Sequence, residues 1–261
     1  MSACAALLVD LGNTRVKWAP LVAGRPGRQR AAAHADWSDA DFSRELCTGV
    51  PRGTPVLVVS VASDTVNRRL ARAVTRSLGG RPAFVHSARR AAGVRNGYRE
   101  PWRLGADRWV AVLGAYHLFR PARHVCVIDA GTALTIDLVD DAGDHRGGVI
   151  VPGPELMVSS LLAGTSGIRR RVASTARVAR AFFARDTRAG LERGAEHATG
   201  ALVERAVHEA RRLLGGPVTV VLTGGASSRL QRSIEVRHRL VPDLVLRGLA
   251  VLLRDGSRDI V

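Results

Sequence analysis

Two short stretches of the sequence, Asp10-Leu-Gly-Asn-Thr14 and Asp129-Ala-Gly-Thr132-Ala-Leu-Thr135, share a pattern that predicts the fold. In each, an apolar run typical of a buried strand ends at an aspartate, and a glycine with small hydroxyl or amide residues follows. Glycine lets the main chain approach an anion closely, and the hydroxyl and amide groups donate hydrogen bonds. The pattern therefore predicts two related turns that bind one polyphosphate from both sides.

The repetition also predicts how the chain is organised. The two aspartates lie 119 positions apart (129 minus 10) in a chain of 261 residues, and 46% of the residues are hydrophobic. Such a chain can form one large core or two modest ones, and the repeated motif favours two. Each motif is followed by a strand meander and then by a crossover of strand and helix. We therefore predict an α/β protein with two similar domains, residues 1–118 and 119–261, and an interdomain cleft.

Apolar spacing predicts the individual elements. Strands are expected over residues 5–9, 15–22, 55–61, 82–85, 125–128, 134–139, 145–151 and 218–222. Helices are expected over residues 64–78, 105–118, 155–163, 188–214 and 243–253, and Gly200 could interrupt the fourth. Residues 87–102 are typical of an ordered loop, and residues 31–48 are polar with too little periodicity to predict an element.

The net charge of +16 raises the question of nucleic acid, because basic side chains neutralise phosphates. The basic residues are spread along the chain, and Lys17 is the single lysine, since all the others are arginines. This distribution favours a general preference for arginine over lysine in the composition, rather than a nucleic-acid-binding surface. The densest basic cluster, residues 169–171, is expected in a solvated loop.

The cysteines and the hydropathy predict a cellular location. Cys4, Cys47 and Cys126 are too far apart for a zinc motif or a disulfide framework. The sequence also lacks a signal-peptide pattern and an apolar run of membrane length. We therefore expect a soluble cytoplasmic protein with reduced thiols.

Several motifs, in the same order, resemble one known family over nearly the whole chain. They are Asp10-Leu-Gly-Asn-Thr-Arg-Val-Lys17, Tyr98-x-x-Pro101, Gly105-Ala-Asp-Arg108, Asp129-Ala-Gly-Thr132-Ala-Leu-Thr135, Gly147-Gly-Val-Ile-Val-Pro-Gly153 and Asp186-Thr187. Together they resemble type III pantothenate kinase, of the Bvg accessory factor family. The resemblance implies the actin-like (ribonuclease H-like) nucleotide-binding fold, a homodimer, and phosphorylation of pantothenate by ATP as the first step of coenzyme A synthesis.

The resemblance also assigns the acceptor side of the site. The residues that it places at the pantothenate pocket are Tyr98, Gly105, Ala106, Asp107, Arg108 and Thr187. Phosphoryl transfer to an alcohol needs a group that takes the hydroxyl proton, which suits Asp107 as general base, and an arginine fork suits a carboxylate. From the residues alone, Asp107 and Thr187 could instead cap helices. Arg108 could be a solvated charge, and Tyr98 an ordinary half-buried loop aromatic.

The nucleotide side rests on the two Asp-Gly motifs. The residues expected around the ATP phosphates are Asp10, Leu11, Gly12, Asn13, Thr14, Arg15, Val16 and Lys17, with Thr132 from the second motif. Asp10 is expected to orient hydrated Mg²⁺, and the resemblance implies a monovalent cation, K⁺ or NH₄⁺, at Asp129. Lys17 could instead be a strand-edge charge, and Asp129 a turn-forming residue. The turn at residues 223–226 is the match on the adenine side, and residues 147–153 are expected to shape the cleft wall through backbone flexibility.

Two other classes of function stay open from the residues alone. A transcription accessory or nucleic-acid-binding relative without kinase activity would use the basic charge, and a phosphohydrolase would use the two turns with water as the acceptor. The sequence has neither the G-x-x-x-x-G-K-[ST] nucleotide loop nor the G-x-S-x-G nucleophile elbow. A phosphohydrolase would not need the motif at residues 105–108, so that motif favours the kinase.

Overall fold

A computed structural model of the chain describes residues 4–119, 124–165 and 182–256. The described residues form two compact units. The first contains residues 4–119 together with 139–147 and 243–256, and the second contains the remaining described residues. Both units are therefore discontinuous in sequence, and the division into residues 1–118 and 119–261 stays a prediction.

The strands of the described residues are, in chain order, β1 Ala6–Leu11, β2 Arg15–Val22, β3 Arg25–Pro26, β4 Arg30–Ala33, β5 Val56–Ser60, β6 Ala83–Val85, β7 Arg90–Ala91, β8 Val94–Arg95, β9 His124–Ala130, β10 Ala133–Val139, β11 His145–Pro152, β12 Val218–Thr223 and β13 Arg239–Leu240. The predicted strands are confirmed, with shifts of one or two residues at their ends.

The helices of the same residues are α1 Asp39–Phe42, α2 Asp64–Leu78, α3 Ala106–Leu118, α4 Pro154–Gly164, α5 Thr187–Leu214, α6 Ser227–Leu230 and α7 Leu244–Asp255. A π-helical turn, Ser43–Cys47, follows α1, and a short 3₁₀ helix, Pro101–Arg103, precedes α3. None of the described helices is long and apolar enough to cross a membrane.

The first unit is built on a sheet in the order β3-β2-β1-β5-β6, with β4 also paired to β2. β1 and β2 are antiparallel, whereas β5 runs parallel to β1 and β6 runs parallel to β5. All six residues of β1 are buried, which explains the uninterrupted apolar run before Asp10.

The second unit repeats this order as β11-β10-β9-β12-β13. β12 lies parallel to β9, and β13 lies parallel to β12, as β5 and β6 do in the first sheet. β1 and β9 are therefore equivalent strands, and each carries the aspartate of one Asp-Gly motif at its carboxyl end. The predicted duplicated α/β fold is confirmed.

The expectation that Gly200 could interrupt the long helix is wrong. α5 runs without a break over 28 residues. A Cβ atom on Gly200 would lie 2.4 Å from the carbonyl oxygen of Ser233. This glycine therefore allows a close approach to a neighbouring segment of the second unit. It lowers the stability of the helix only slightly, through its low helix propensity, and does not interrupt it.

The polar segment 31–48 contains more regular structure than we predicted. It holds β4, α1 and the π-helical turn, and it buries Phe42, Leu46 and Cys47 in the core of the first unit. The Ser38 hydroxyl accepts a hydrogen bond from the Asp41 amide, and the Asp41 carboxylate accepts one from the Ser38 amide at 2.9 Å. This reciprocal capping pattern was readable in the sequence, but the helix is too short to show apolar periodicity.

Two glycines set a close crossing of α3 and α7 in the first unit. A Cβ atom on Gly248 would lie 2.0 Å from the carbonyl oxygen of Val110. One on Gly114 would lie 2.6 Å from the carbonyl oxygen of Leu244. Because these neighbours are main-chain atoms, a side chain at either position would force the two helices apart.

We therefore expect Gly248→Ala to destabilise the protein by about 1–3 kcal/mol, the usual cost of overpacking. Thermal and urea unfolding measure this change. Gly194→Ala in α5 is the matched control, since Gly194 is exposed and a Cβ atom there would meet nothing within 4 Å. The control should stabilise by about 0.5–1 kcal/mol through helix propensity, and equal effects at the two glycines would contradict this account.

Candidate functional site

Asp10 and Lys17 form a cross-strand pair where β1 turns into β2. The two residues lie opposite each other in the register, and the Lys17 Nζ atom is 3.3 Å from the Asp10 Oδ2 atom. Asp10 is buried, and this burial raises the pKa of its carboxyl group, although the charge of Lys17 and its hydrogen bond act in the opposite direction. One lysine therefore compensates the buried carboxylate only in part.

The turn between these strands presents polar groups at its tip. The Gly12 amide donates a hydrogen bond to the carbonyl oxygen of Arg15, and Asn13, Thr14 and Arg15 are exposed. The neighbouring side chains at positions 11 and 16 are buried in the core of the first unit. Only the main chain of those two residues can therefore take part in binding.

His34 supports this turn, and our sequence analysis did not single it out. Its ring is 2% exposed, and Nε2 lies 2.7 Å from the carbonyl oxygen of Gly12. The His34 amide donates to the carbonyl oxygen of Thr14. A histidine in an aperiodic segment gives no sequence signal for such a contact.

The raised pKa of Asp10 predicts a pH dependence of stability. A carboxyl group with a higher pKa in the folded state binds its proton more tightly there, so its ionisation opposes folding. The resulting loss of folding free energy is absent below pH 3.8, the ordinary pKa of an aspartate. It reaches its full value above the raised pKa that Asp10 has in the folded protein. We expect Asp10→Asn to raise the Tm of the ligand-free protein at pH 7, by about 2–4 °C per kcal/mol recovered.

Differential scanning calorimetry from pH 4 to pH 8 measures this effect. The Tm difference between the Asp10→Asn protein and the parent should grow as the pH rises. Asp64→Asn, an exposed aspartate at the first residue of α2, is the control and should show no such trend. A Tm of Asp10→Asn below that of the parent at pH 7 would show that the Lys17 pair outweighs the cost of burial.

The second Asp-Gly motif lies beside the turn that follows β12. Thr223 pairs with Asp129 in the parallel register, and the Ala226 amide donates to the carbonyl oxygen of Ala130 at 2.8 Å. Gly224 has a φ of 93°, and a Cβ atom there would lie 2.3 Å from Asp129 Oδ1. Glycine is therefore required at position 224, and the turn at residues 223–226 lies against the Asp129 carboxylate.

Thr132 is exposed at the tip of the second turn, next to the start of α4. Its carbonyl oxygen accepts a hydrogen bond from the Gly153 amide at 2.8 Å. A Cβ atom on Gly153 would lie 2.5 Å from the carbonyl oxygen of Gly131. Close approach, rather than the backbone flexibility that we expected of residues 147–153, explains this glycine.

Asp107 lies at the second residue of α3, in the first unit. Gly105 occupies the N-cap position and provides no side-chain hydrogen bond. The Asp107 Oδ1 atom accepts a hydrogen bond from the Arg108 amide at 2.8 Å, so the capping interpretation holds in part. A Cβ atom on Gly105 would lie 2.8 Å from the same oxygen, so a side chain at this position would displace the carboxylate.

Arg108 is buried against Tyr98. The arginine is 6% exposed, so its interpretation as a solvated charge is wrong. Its Nη1 atom donates to the Tyr98 hydroxyl at 3.0 Å, and its Cζ atom lies 5.8 Å from the centre of the Tyr98 ring. The predicted proximity of Arg108 to the loop that carries Tyr98 is confirmed.

Two further residues, Asn96 and His145, belong to this cluster and were missed from the sequence. The Asn96 Oδ1 atom accepts from the Tyr98 amide at 3.0 Å, and its Nδ2 atom donates to the carbonyl oxygens of Ala88 and Pro101. The His145 ring stacks on Tyr98, with ring centres 6.0 Å apart. His145 lies 47 positions from Tyr98 in the sequence, so no local pattern predicts the contact between their rings.

Thr187 is the first residue of α5, in the second unit. The Asp186 side chain, rather than Thr187, caps this helix by accepting from the Ala189 amide at 2.9 Å. The interpretation of Thr187 as the N-cap is therefore wrong. In the ranges that the structure describes, no three histidine, cysteine, aspartate or glutamate side chains form a cluster that could hold a metal ion.

Comparisons with known sequences agree on one family. A family model described as type III pantothenate kinase matches residues 6–209. Curated proteins of that name include one from Nitrosococcus oceani, 31% identical over 255 residues, and one from Ectopseudomonas mendocina, 37% identical over 246 residues. These alignments cover 97% and 94% of this chain, and 95% and 97% of the two relatives.

Solved structures with a similar fold include a protein assigned to the Baf family of transcriptional activators from Campylobacter jejuni. Its TM-score is 0.60 at 18% identity, over 96% of this chain and 98% of that chain. An activator of 2-hydroxyisocaproyl-CoA dehydratase from Clostridium difficile, with bound ADPNP, has a TM-score of 0.51 at 12% identity, over 96% and 93%. At these identities the likeness shows the fold alone, which is the actin-like ATPase fold.

Proposed function

The chain belongs to the type III pantothenate kinase family, and we propose how its own residues carry out the reaction of that family. The protein phosphorylates pantothenate with ATP, the first step of coenzyme A biosynthesis. We base this assignment of residues on the start of α3. There the Asp107 carboxylate accepts a hydrogen bond from the amide of Arg108, and the buried Arg108 side chain donates one to the Tyr98 hydroxyl. The transcription-accessory alternative is not favoured, since the sequence relatives named here are kinases.

Asp107 is the general base of this proposal. A hydroxyl oxygen of pantothenate forms a bond to the γ-phosphorus of ATP as the bond from that phosphorus to the ADP oxygen breaks. The hydroxyl proton passes to the Asp107 carboxylate, and ADP leaves. The hydrogen bond from the Arg108 amide and the space left by Gly105 hold the carboxylate in one orientation. Such positioning is what a general base requires.

Arg108 binds the carboxylate of pantothenate in this proposal. A guanidinium group presents a planar fork of donors that matches a carboxylate, and a buried one is weakly screened by water. The bond to the Tyr98 hydroxyl fixes the direction of that fork. In this proposal Tyr98, Gly105 and Ala106 also bind pantothenate, and the family resemblance assigns Thr187, a residue of the second unit, to the same substrate.

In this proposal the turn at residues 10–17 binds the ATP phosphates, and the resemblance assigns a phosphate contact to Thr132 of the second unit as well. We place a divalent cation beside Asp10, because a buried carboxylate with a single lysine partner supplies an oxygen ligand at the turn. Asp10 would hold hydrated Mg²⁺, which neutralises phosphate charge when it is bound. Exposed donors on Asn13, Thr14 and Arg15 are available to phosphate oxygens.

Asp129 is proposed as the ligand of a monovalent cation, K⁺ or NH₄⁺. The absence of a side chain at Gly224 leaves its main chain close to both Asp129 Oδ1 and the carbonyl oxygen of Ala130. Carboxylate and carbonyl oxygens are the ligands that hard cations prefer. Binding at this position would link the cation to the turn at residues 223–226.

A homodimer in the cytoplasm, where ATP is available, completes the proposal. α4 buries none of its residues, although most of them are apolar. Val149, Ile150, Leu156 and Leu161 are exposed large hydrophobic residues of β11 and α4. Exposed large apolar residues of this kind are typical of a surface that binds another chain, and a second copy is the partner that the family resemblance implies.

The kinase assay tests the proposal as a whole. Pantothenate phosphorylation with ATP and Mg²⁺ should depend on added K⁺ in the parent protein, and Asp129→Asn should lose that dependence along with most activity. Asp141→Asn, a carboxylate outside the proposed site, is the matched control. Equal turnover with and without a monovalent cation would remove the Asp129 assignment and leave the kinase assignment intact.

A further inference from the structure

We infer that His145 is a positioning residue for pantothenate, which acts by holding Tyr98 and, through it, Arg108. The inference rests on the proposed function, since it deepens the assignment of Tyr98 and Arg108 to the acceptor site. His145 belongs to none of the motifs that predicted the site, and it lies at the first residue of β11. His145, Tyr98 and Arg108 all lie within the first unit.

The imidazole of His145 makes two contacts with the loop that carries Tyr98. The two rings are stacked, with an angle of 19° between their planes and 6.0 Å between their centres. The Nδ1 atom lies 3.4 Å from the Gly97 amide and accepts a hydrogen bond from it. Because His145 is only 2% exposed, both contacts are shielded from water.

The main-chain segments that carry His145 and Tyr98 lie in close contact. A Cβ atom on Gly97 would lie 1.9 Å from the carbonyl oxygen of His145, and only glycine permits this approach. Asp144, one residue before His145, accepts two parallel hydrogen bonds of 2.6 Å from Arg95, two residues before Gly97. Fixed donor and acceptor pairs of this kind hold the loop and the start of β11 in register.

The position of Tyr98 determines the position of Arg108. The Tyr98 hydroxyl accepts from Arg108 Nη1 at 3.0 Å, while the Asn96 side chain holds the Tyr98 amide. The imidazole of His145 stacks on the aromatic ring of Tyr98, so it helps to set the tilt of that ring. Loss of the imidazole would let the ring rotate, and the guanidinium fork would lose its orientation toward a carboxylate.

This role predicts a selective change in kinetics. His145→Ala removes both contacts, and we expect the KM for pantothenate to rise about tenfold, within the range of coupling between residues in contact. The KM for ATP should stay within about twofold, because the nucleotide residues are not part of this network. His145→Phe keeps the stacked ring and His145→Asn keeps an acceptor near Nδ1, so each should give a smaller rise.

A double-mutant cycle separates positioning from general stability. If His145 acts through Tyr98, then adding His145→Ala to a Tyr98→Ala protein should cause no further rise in the KM for pantothenate. The control is His117→Asn, which should leave both KM values unchanged. His117 is another partly buried histidine, and its Nε2 atom lies 2.6 Å from the carbonyl oxygen of Ala92.

Additive effects of the two substitutions, or an equal rise in the KM for both substrates, would overturn the inference. Unchanged KM for pantothenate in His145→Ala would do the same. If His145→Ala does not fold, the same two KM values are measured for His145→Phe and His145→Asn. These outcomes differ from a failure of the proposed function, which would appear as full activity of an Asp107→Asn protein that retains His145.

Discussion

Asp107→Asn is expected to lower kcat for pantothenate phosphorylation by about 10² or more, which is the scale of losing a general base. Asparagine keeps the size of the side chain and the acceptor for the Arg108 amide, but it cannot take the hydroxyl proton. The KM for pantothenate should change little, because Arg108 and Tyr98 remain in place. Steady-state kinetics at saturating ATP measure both values.

The control for this prediction is Asp64→Asn. Asp64 also opens a helix, α2, and its exposed carboxylate lies at a helix N-terminus as that of Asp107 does. It should keep the parent kcat. A kcat for Asp107→Asn within about threefold of the parent, against the loss of 10² expected for a base, would leave helix capping as the role of this carboxylate.

Arg108→Gln is expected to lower kcat/KM for pantothenate by about 10², since truncating one partner of a buried charged pair costs about 2–5 kcal/mol. Arg108→Lys should recover only part of this loss, because a lysine presents one ammonium group in place of a planar fork. The burial of Arg108 and its bond to the Tyr98 hydroxyl are the physical reasons for the large effect.

A substrate comparison makes this second prediction specific. Pantothenol has an alcohol in place of the carboxylate, so the parent should prefer pantothenate strongly, and Arg108→Gln should lose most of that preference. Arg103→Gln is the matched control, because Arg103 lies in the 3₁₀ helix that precedes α3 but is exposed and paired with Glu100. Retention of the full preference in Arg108→Gln would mean that another group binds the carboxylate.

The sequence predicted the features that depend on local patterns. The apolar runs before Asp10 and Asp129 became β1 and β9, and the helical spacing of residues 64–78 matches α2 at both ends. The repeat of the motif predicted the repeat of the sheet order. These features follow from burial on one or both faces of an element, which leaves a period in the sequence.

The features that the sequence did not predict depend on contacts between distant segments. His34 and His145 meet Gly12 and Tyr98 across 22 and 47 positions, and neither histidine belongs to a periodic pattern. The glycines of the α3 and α7 crossing look like ordinary helix glycines until the helices are packed. The resemblance predicted which residues surround pantothenate, but the neighbours that hold those residues came only from the tertiary structure.

Hydrogen–deuterium exchange locates pantothenate on the chain and tests the central assignment most directly. Pantothenate would be added to Asp107→Asn protein that is saturated with a non-hydrolysable ATP analogue, so that the bound state persists. The account predicts slower exchange in peptides that cover residues 96–109, with no change at the exposed turn of residues 23–28. Protection confined to other segments, with residues 96–109 unchanged at saturating pantothenate, would contradict the assignment of the acceptor site.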